Sequence, residues 1–105
     1  MAGTILINHR DSLATSTVVF DYLVEGILAC FGDTDEAIQA KVYDPMDNGG
    51  MTFVSLIELD AEEFRTFVRI TELARSQARA KSSYERFEQA WEEFFTLLTR
   101  DPRAK

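Results

Sequence analysis

Residues 84–98 read YERFEQAWEEFFTLL, and this stretch decides the fold. Its large apolar side chains share one face of a helix, within about 100° of arc, the width of a core-facing stripe. They are Tyr84, Phe87, Trp91, Phe94, Phe95 and Leu98. A capping-box pattern, Ser82 with Glu85, precedes the stretch, and Asp101-Pro102 ends it. The pattern predicts a final amphipathic helix whose aromatic face lies in the core.

A second amphipathic helix is predicted directly upstream, from Asp60 to about Ala80. Asp60 and Glu63 resemble a capping box, and acidic residues in a first turn favour the positive end of the helix dipole. Phe64 and Phe67 begin an apolar stripe at helical spacing. The second half of the chain is therefore predicted to be a pair of helices.

The centre of the chain predicts a β-hairpin. Residues Ile38–Asp44 alternate apolar and polar side chains, which is typical of a half-buried strand. The following PMDNGG at 45–50 is a strong turn signal, because Asn and Gly tolerate the positive φ of tight turns. Met51–Leu59 is more fully apolar and is the expected partner strand.

The N-terminal third predicts a strand at Thr4–Asn8, a polar loop, and a mostly buried helix from about Leu13 to Phe31. β-Branched residues within Thr15–Phe20 leave a strand open as the alternative there. The fold class is therefore α+β, in the order β-α-β-β-α-α. We expect a small, mainly antiparallel sheet of three or four strands packed against amphipathic helices, in a single globular domain over 1–105 with loose ends at 1–3 and 101–105.

Charge is segregated along the chain. Of 18 acidic residues 12 lie in residues 1–63, with only two of the 11 basic ones, so this part carries −10 and the rest +3. The electrostatic field of such a charge distribution affects how the protein associates with charged partners, and it gives little information about catalytic activity. The net charge of −7 repels a phosphate backbone. We expect a basic protein partner or self-association, and no nucleic acid.

The sequence offers no convincing catalytic or metal-binding group. His9 is the single histidine and has no evident partner, and Cys30 lies in an apolar run without a cationic activator. Asp44, Asp47 and Asn48 lack the spacing of a calcium loop and are explained by turn chemistry. We expect no enzyme activity, no metal and no cofactor.

A lone cysteine, no export signal and no apolar stretch of about 20 residues predict a cytoplasmic protein without a membrane span. The function predicted is that of an inhibitor or immunity-type protein that captures a basic protein. Two other classes stay open: a homodimeric structural or adaptor module, and a small-ligand or enzymatic domain that uses His9.

The predicted partner-binding residues are acidic and flank the expected hairpin and the strand-to-helix junction: Asp33, Asp35, Glu36, Asp44, Asp47 and Glu58. Opposite charges that meet across an interface speed encounter and set specificity. A second candidate interaction face is basic and lies on the first of the two C-terminal helices: Arg65, Arg69, Arg75 and Arg79. It suits an acidic partner, including the acidic half of a second copy.

Overall fold

The computed structural model describes residues 2–50 and 52–104. Strands β1 (Ala2–Leu6) and β2 (Ser12–Ser16) come first, followed by helices α1 (Thr17–Leu28) and α2 (Glu36–Asp47). Strand β3 (Phe53–Ser55) precedes helices α3 (Ala61–Arg79) and α4 (Tyr84–Arg100). Short 3₁₀ turns lie at Asp33–Asp35 and Pro102–Ala104. The predicted α+β class is confirmed.

The three strands form one sheet in the order β2-β1-β3. Strand β1 pairs antiparallel with β2 and parallel with β3. The register aligns Ile5 with Leu13 on one side and with Val54 on the other, and all three side chains are buried. This row lies on the face of the sheet that the helices cover.

Four of the six residues of the predicted α4 stripe are buried in the core, namely Phe87, Trp91, Phe94 and Leu98. The other two, Tyr84 and Phe95, are half-buried and pack against it. Trp91 is 1% exposed, and its indole N–H donates to the Tyr22 hydroxyl at 3.1 Å. The Tyr22 ring stacks on Phe87, with ring centres 3.7 Å apart. Phe94 is fully buried and packs edge-on against Phe67 of α3. The two C-terminal helices therefore supply much of the apolar core.

The predicted hairpin is wrong, because Ile38–Asp44 lies within α2. Ile38 and Val42 are buried four residues apart, whereas Ala40, which completed the apparent alternation, is exposed. Burial every four residues is the helical period. After α2, Gly50 adopts a φ of 62°, which suits glycine in the turn toward β3, and β3 pairs with β1.

Residues 12–20 contain both structures that the sequence left open, a strand first and then the start of a helix. The strand β2 ends at Ser16, and α1 begins at Thr17, four residues later than predicted. The Ser16 hydroxyl oxygen accepts a hydrogen bond from the Val19 N–H at 3.3 Å and so caps α1. The sheet therefore has a strand at 12–16 in place of the one predicted at 38–44.

At the ends that were expected to be loose, residues 1–3 and 101–105, the described residues form specific contacts. Ala2 and Gly3 pair with β2, and Asp101 is only 2% exposed. Arg103 donates hydrogen bonds to three backbone carbonyls, those of Ile7, Leu56 and Leu59. Met1 and Lys105 lie outside the described residues.

Candidate protein-binding surface

An acidic surface surrounds α2 and the junction between β3 and α3. Residues 33–63 hold nine carboxylates and one lysine, a net charge of −8. We call the nine carboxylates the acidic surface: Asp33, Asp35, Glu36, Asp44, Asp47, Glu58, Asp60, Glu62 and Glu63. Asp35 and Glu63 are half-buried and the other seven are exposed. All six predicted partner-binding residues belong to this set.

The single lysine of this region, Lys41, connects α2 to α3 through an ion pair. The Lys41 ammonium on α2 bonds both carboxylate oxygens of Glu63 on α3, at 2.9 and 2.8 Å. The hydrogen bond with Glu63 raises the pKa of Lys41. Glu63 also accepts from the Asp60 backbone N–H at 3.0 Å in the capping box of α3. The bridge places the acids of α2 beside those of the β3–α3 junction.

The two ends of α2 differ in what their acids do for the fold. At the N-terminal end, Asp35 accepts from the Gly32 N–H at 3.0 Å. At the C-terminal end, Asp44 and Asp47 lie in the last turn, beside the negative end of the helix dipole. The Asp44 carboxylate accepts a hydrogen bond from the Asn48 side-chain amide at 2.7 Å, which gives it a local role at this end of the helix. Departures from a local stability rule are expected at functional sites, so Asp47 is the stronger indication of recognition of the two.

The predicted basic face is divided by the packing of α3 against α4. Arg75 is half-buried, with its guanidinium carbon 5.0 Å from the centre of the Phe95 ring. Its Nε donates to the Tyr84 hydroxyl at 3.4 Å, and this hydrogen bond lowers the pKa of Tyr84. Arg79 lies over the same tyrosine ring at 5.9 Å. Two of the four arginines therefore serve helix packing.

The other two arginines, Arg65 and Arg69, are exposed on α3. Neither forms an ion pair within residues 2–50 and 52–104. A pair of free cations is a smaller feature than the four-arginine face that the sequence predicted. It provides less support for docking of an acidic partner than the acidic surface provides for docking of a basic one.

Within residues 2–50 and 52–104, neither His9 nor Cys30 is part of a catalytic arrangement. His9 is exposed in the loop between β1 and β2 and lines an open cavity of about 420 Å³ with Ile57 and Asp101. The Asp101 carboxylate in this cavity is already engaged by Arg103. Cys30 is half-buried, and burial raises the pKa of its thiol, the opposite of activation.

The described residues contain neither a metal-binding cluster nor a membrane-spanning helix. Across 2–50 and 52–104, no group of three or more His, Cys, Asp or Glu residues is arranged to hold a metal ion. In the same residues, no helix combines the length and apolar character that crossing a membrane requires.

Comparison with known proteins identifies the family. No protein-family model matches the chain. The immunity protein CdiI of Burkholderia pseudomallei is 35% identical to it over 103 residues, which are 98% of this chain and 94% of that protein. The chain belongs to the CdiI immunity-protein family. A chain of the solved structure "CdiA-CT toxin from Burkholderia pseudomallei E479 in complex with cognate CdiI immunity protein" matches this CdiI-family protein with a TM-score of 0.96 and 34% identity. The match covers 99% of this chain and 100% of the solved one.

The family assignment confirms the predicted function class. This CdiI-family protein is an immunity-type, non-enzymatic binding protein, as the segregated charge and the missing catalytic motifs indicated. The alternative that used His9 as a catalytic group is not supported by the family. The residues that make contact with a partner stay a prediction, and the acidic surface is the best candidate for them.

Proposed function

We propose that this CdiI-family protein binds and neutralises a toxin of the CdiA-CT type. The observation that carries the proposal is its likeness to CdiI along nearly the whole chain, with a TM-score of 0.96 to a chain from a toxin–immunity complex. Because the share covered is 99% of this chain, the likeness includes every helix and strand that shapes the surface. The lone reduced thiol of Cys30 suits binding in the reducing cytoplasm.

The acidic surface is the proposed contact with a basic face of the toxin. Seven of its nine carboxylates are exposed, and its lysine is already paired with Glu63. Uncompensated charge of one sign attracts a partner of the other sign over about 10 Å at 0.1 M salt and raises the association rate. Rapid capture suits an inhibitor that must reach its target before the target acts.

The test is neutralisation of the CdiA-CT toxin domain from the organism that encodes this chain. The toxin domain is expressed from an inducible promoter, with or without this chain, and growth is measured. We expect growth to be restored and a one-to-one complex to elute together from a sizing column. An unrelated domain of equal size and net charge is the control, and it should restore nothing. A folded immunity protein that neither binds the toxin nor restores growth would contradict the proposal.

A further inference from the structure

Strand β2 forms an open edge of the sheet. The Thr4 N–H donates to the Thr52 carbonyl at 3.2 Å, and the Leu6 carbonyl accepts from the Leu56 N–H at 2.8 Å. These backbone groups of β1 therefore point toward β3. Alternation along a strand then directs the groups of Ile5 toward β2, where Leu13 is its partner.

By the same alternation, the N–H and C=O groups of Ser12 and Ala14 point away from β1. In the described chain, β2 has no neighbouring strand on that side. Proteins usually protect such an edge with lysine, proline or a bulge. Here the side chains of Ser12, Ala14 and Ser16 are small, uncharged and exposed. The opposite edge strand, β3, has only three residues and packs beside α2.

A groove of about 470 Å³ lies between β2 and α4. Leu13 and the half-buried Leu97 supply its apolar part, and Glu92 and Glu93 supply two carboxylates. Glu93 accepts a hydrogen bond from the Gln89 amide at 3.0 Å. The Glu92 carboxylate has no hydrogen-bond or ion-pair partner in the described residues, and no Lys or Arg lines the groove. The groove therefore suits a basic side chain next to an apolar one.

We propose that the outer edge of β2 accepts an extended basic segment of the toxin as a fourth strand. The inference rests on the proposed function and specifies part of its contact. Added strands gain affinity from backbone hydrogen bonds and specificity from alternate side chains. On the α4 side of the added strand, a lysine or arginine pairs with Glu92, and an apolar neighbour two residues away packs on Leu13 and Leu97.

The β2 edge and the acidic surface belong to opposite sides of one narrow sheet. Because β2 and β3 are separated by one strand, they lie about 10 Å apart. A standard interface buries about 800 Å² of each partner, so one partner can extend across a sheet this narrow. The acidic surface then speeds encounter, and the added strand slows dissociation.

Amide hydrogen exchange of the intact complex with the toxin domain tests the added strand directly. We expect the Ser12 and Ala14 amides to exchange at least about tenfold more slowly in the complex. The Leu13 and Thr15 amides, already bonded to β1, are the reference within the same strand. Unchanged exchange at Ser12 and Ala14 in a formed complex would overturn this inference and leave the proposed function intact. Failure to form any complex would instead contradict the proposed function.

Two variants test the backbone edge and the groove separately. Ala14→Pro removes an outward N–H and no bond to β1, so we expect about tenfold weaker toxin binding, the value of one hydrogen bond. Glu92→Lys reverses the charge in the groove and should weaken binding by at least about tenfold through faster dissociation. Glu72→Lys makes the same change at an exposed site on α3 and should alter binding less than about twofold. Equal effects of Glu92→Lys and Glu72→Lys would overturn the inference, even if Ala14→Pro fails to fold.

A second copy of this chain is the competing occupant of the edge. Sedimentation of the free protein at rising concentration distinguishes it from the toxin. We expect a monomer whose Ser12 and Ala14 amides exchange at rates independent of concentration. Protection of those amides that grows with dimer formation would assign the edge to self-association and overturn the inference.

Discussion

The Arg103 guanidinium and the Asp101 carboxylate form an ion pair with two parallel hydrogen bonds, Nε to Oδ1 and Nη2 to Oδ2, both 2.9 Å long. The other three N–H groups of Arg103 each donate to a backbone carbonyl at 2.8 Å, those of Ile7, Leu56 and Leu59. The guanidinium also lies 4.2 Å from the centre of the Phe64 ring. Because an arginine has five N–H donors, every one is matched. One side chain thus joins the C-terminal turn to the ends of β1 and β3.

We expect Arg103→Met to lower the free energy of unfolding by about 3–5 kcal/mol, because it leaves a buried carboxylate without its counter-ion. Arg103→Lys should restore only part of the loss, since an ammonium cannot reproduce the planar fork. The control is Arg100→Met, which removes a 2.6 Å ion pair with Asp11 from an arginine side chain that is 56% exposed. Its cost should stay below about 1 kcal/mol in urea titrations. Equal costs for the two substitutions would contradict the structural role of Arg103.

The same pair makes stability depend on pH. Hydrogen bonds from Arg103, opposed by burial, hold the pKa of Asp101 at about 2, below its ordinary value of 3.8. Because the folded pKa is depressed, this stabilisation is present above about pH 4 and is lost as the pH falls toward 2. Its size is roughly 2 kcal/mol. We expect Asp101→Asn to lose less stability than the native protein between pH 6 and pH 2.5, measured by urea titration at each pH. Parallel losses in the two proteins would show that other carboxylates control acid unfolding.

Trp91 is expected to be the most costly core residue to truncate. It is 1% exposed, so Trp91→Ala should destabilise the fold by about 3–5 kcal/mol through lost burial and the remaining cavity. Tyr22→Phe removes only the acceptor of its indole N–H and should cost about 0.5–1.5 kcal/mol. Leu73→Ala is the exposed control, at 49% exposure, and should change the urea midpoint little. A Trp91 variant as stable as the Leu73 variant would contradict the assigned core.

The helices of the second half were predictable because their signals are local. The capping box of α3 forms as expected, with the Glu63 N–H donating to Asp60 at 2.8 Å. The capping box expected at Ser82 and Glu85 does not form, since α4 begins at Tyr84 with Ser83 as its N-cap and no side-chain capping bond. The apolar stripe therefore located the helix correctly even where the predicted cap was wrong.

The middle of the chain was wrongly predicted as a strand, because alanine counts as apolar in an alternating pattern and is also the best helix former. Ile38 and Val42 fit a helix as well as a strand, and the Tyr43 hydroxyl that bonds the Val24 carbonyl at 2.8 Å is a long-range contact. Arg103 could not be predicted either, because its acceptors come from separate segments of the chain. The acidic surface was predictable from charge alone, but its placement around a helix was not.

The last turn of α2 provides a test of whether a residue that lowers the stability of the fold contributes to recognition of the toxin. Asp47 is exposed beside the negative end of the helix dipole, so Asp47→Asn should raise the free energy of unfolding by about 0.3–1 kcal/mol. The same substitution should slow association with the toxin. Asp33→Asn, near the N-terminal end of α2, is the control and should not stabilise the protein. A more stable Asp47 variant with unchanged association would show that this carboxylate has no part in recognition.

The acidic surface as a whole should govern the rate of encounter. Replacing Asp33, Asp35, Asp44 and Asp47 with Asn keeps their hydrogen-bond acceptors and removes four charges from the two ends of α2. We expect association with the toxin to slow by about tenfold or more at low salt, while dissociation changes little, because rim charges act mainly on the approach. The difference from the native protein should shrink as the screening length falls from about 10 Å at 0.1 M salt to about 3 Å at 1 M.

A charge-matched control separates this local effect from net charge. Asp21, Glu25, Glu85 and Glu88 are exposed and lie outside the acidic surface, so neutralising them to Asn or Gln removes the same four charges elsewhere. Stopped-flow association measured over the same salt series should show a smaller loss for this control. If the two quadruple variants slow equally, encounter depends on net charge alone, and the acidic surface has no specific part in capturing the toxin. If neither slows, the toxin is recognised without electrostatic attraction, and the contact must be sought on the apolar and backbone features of the fold.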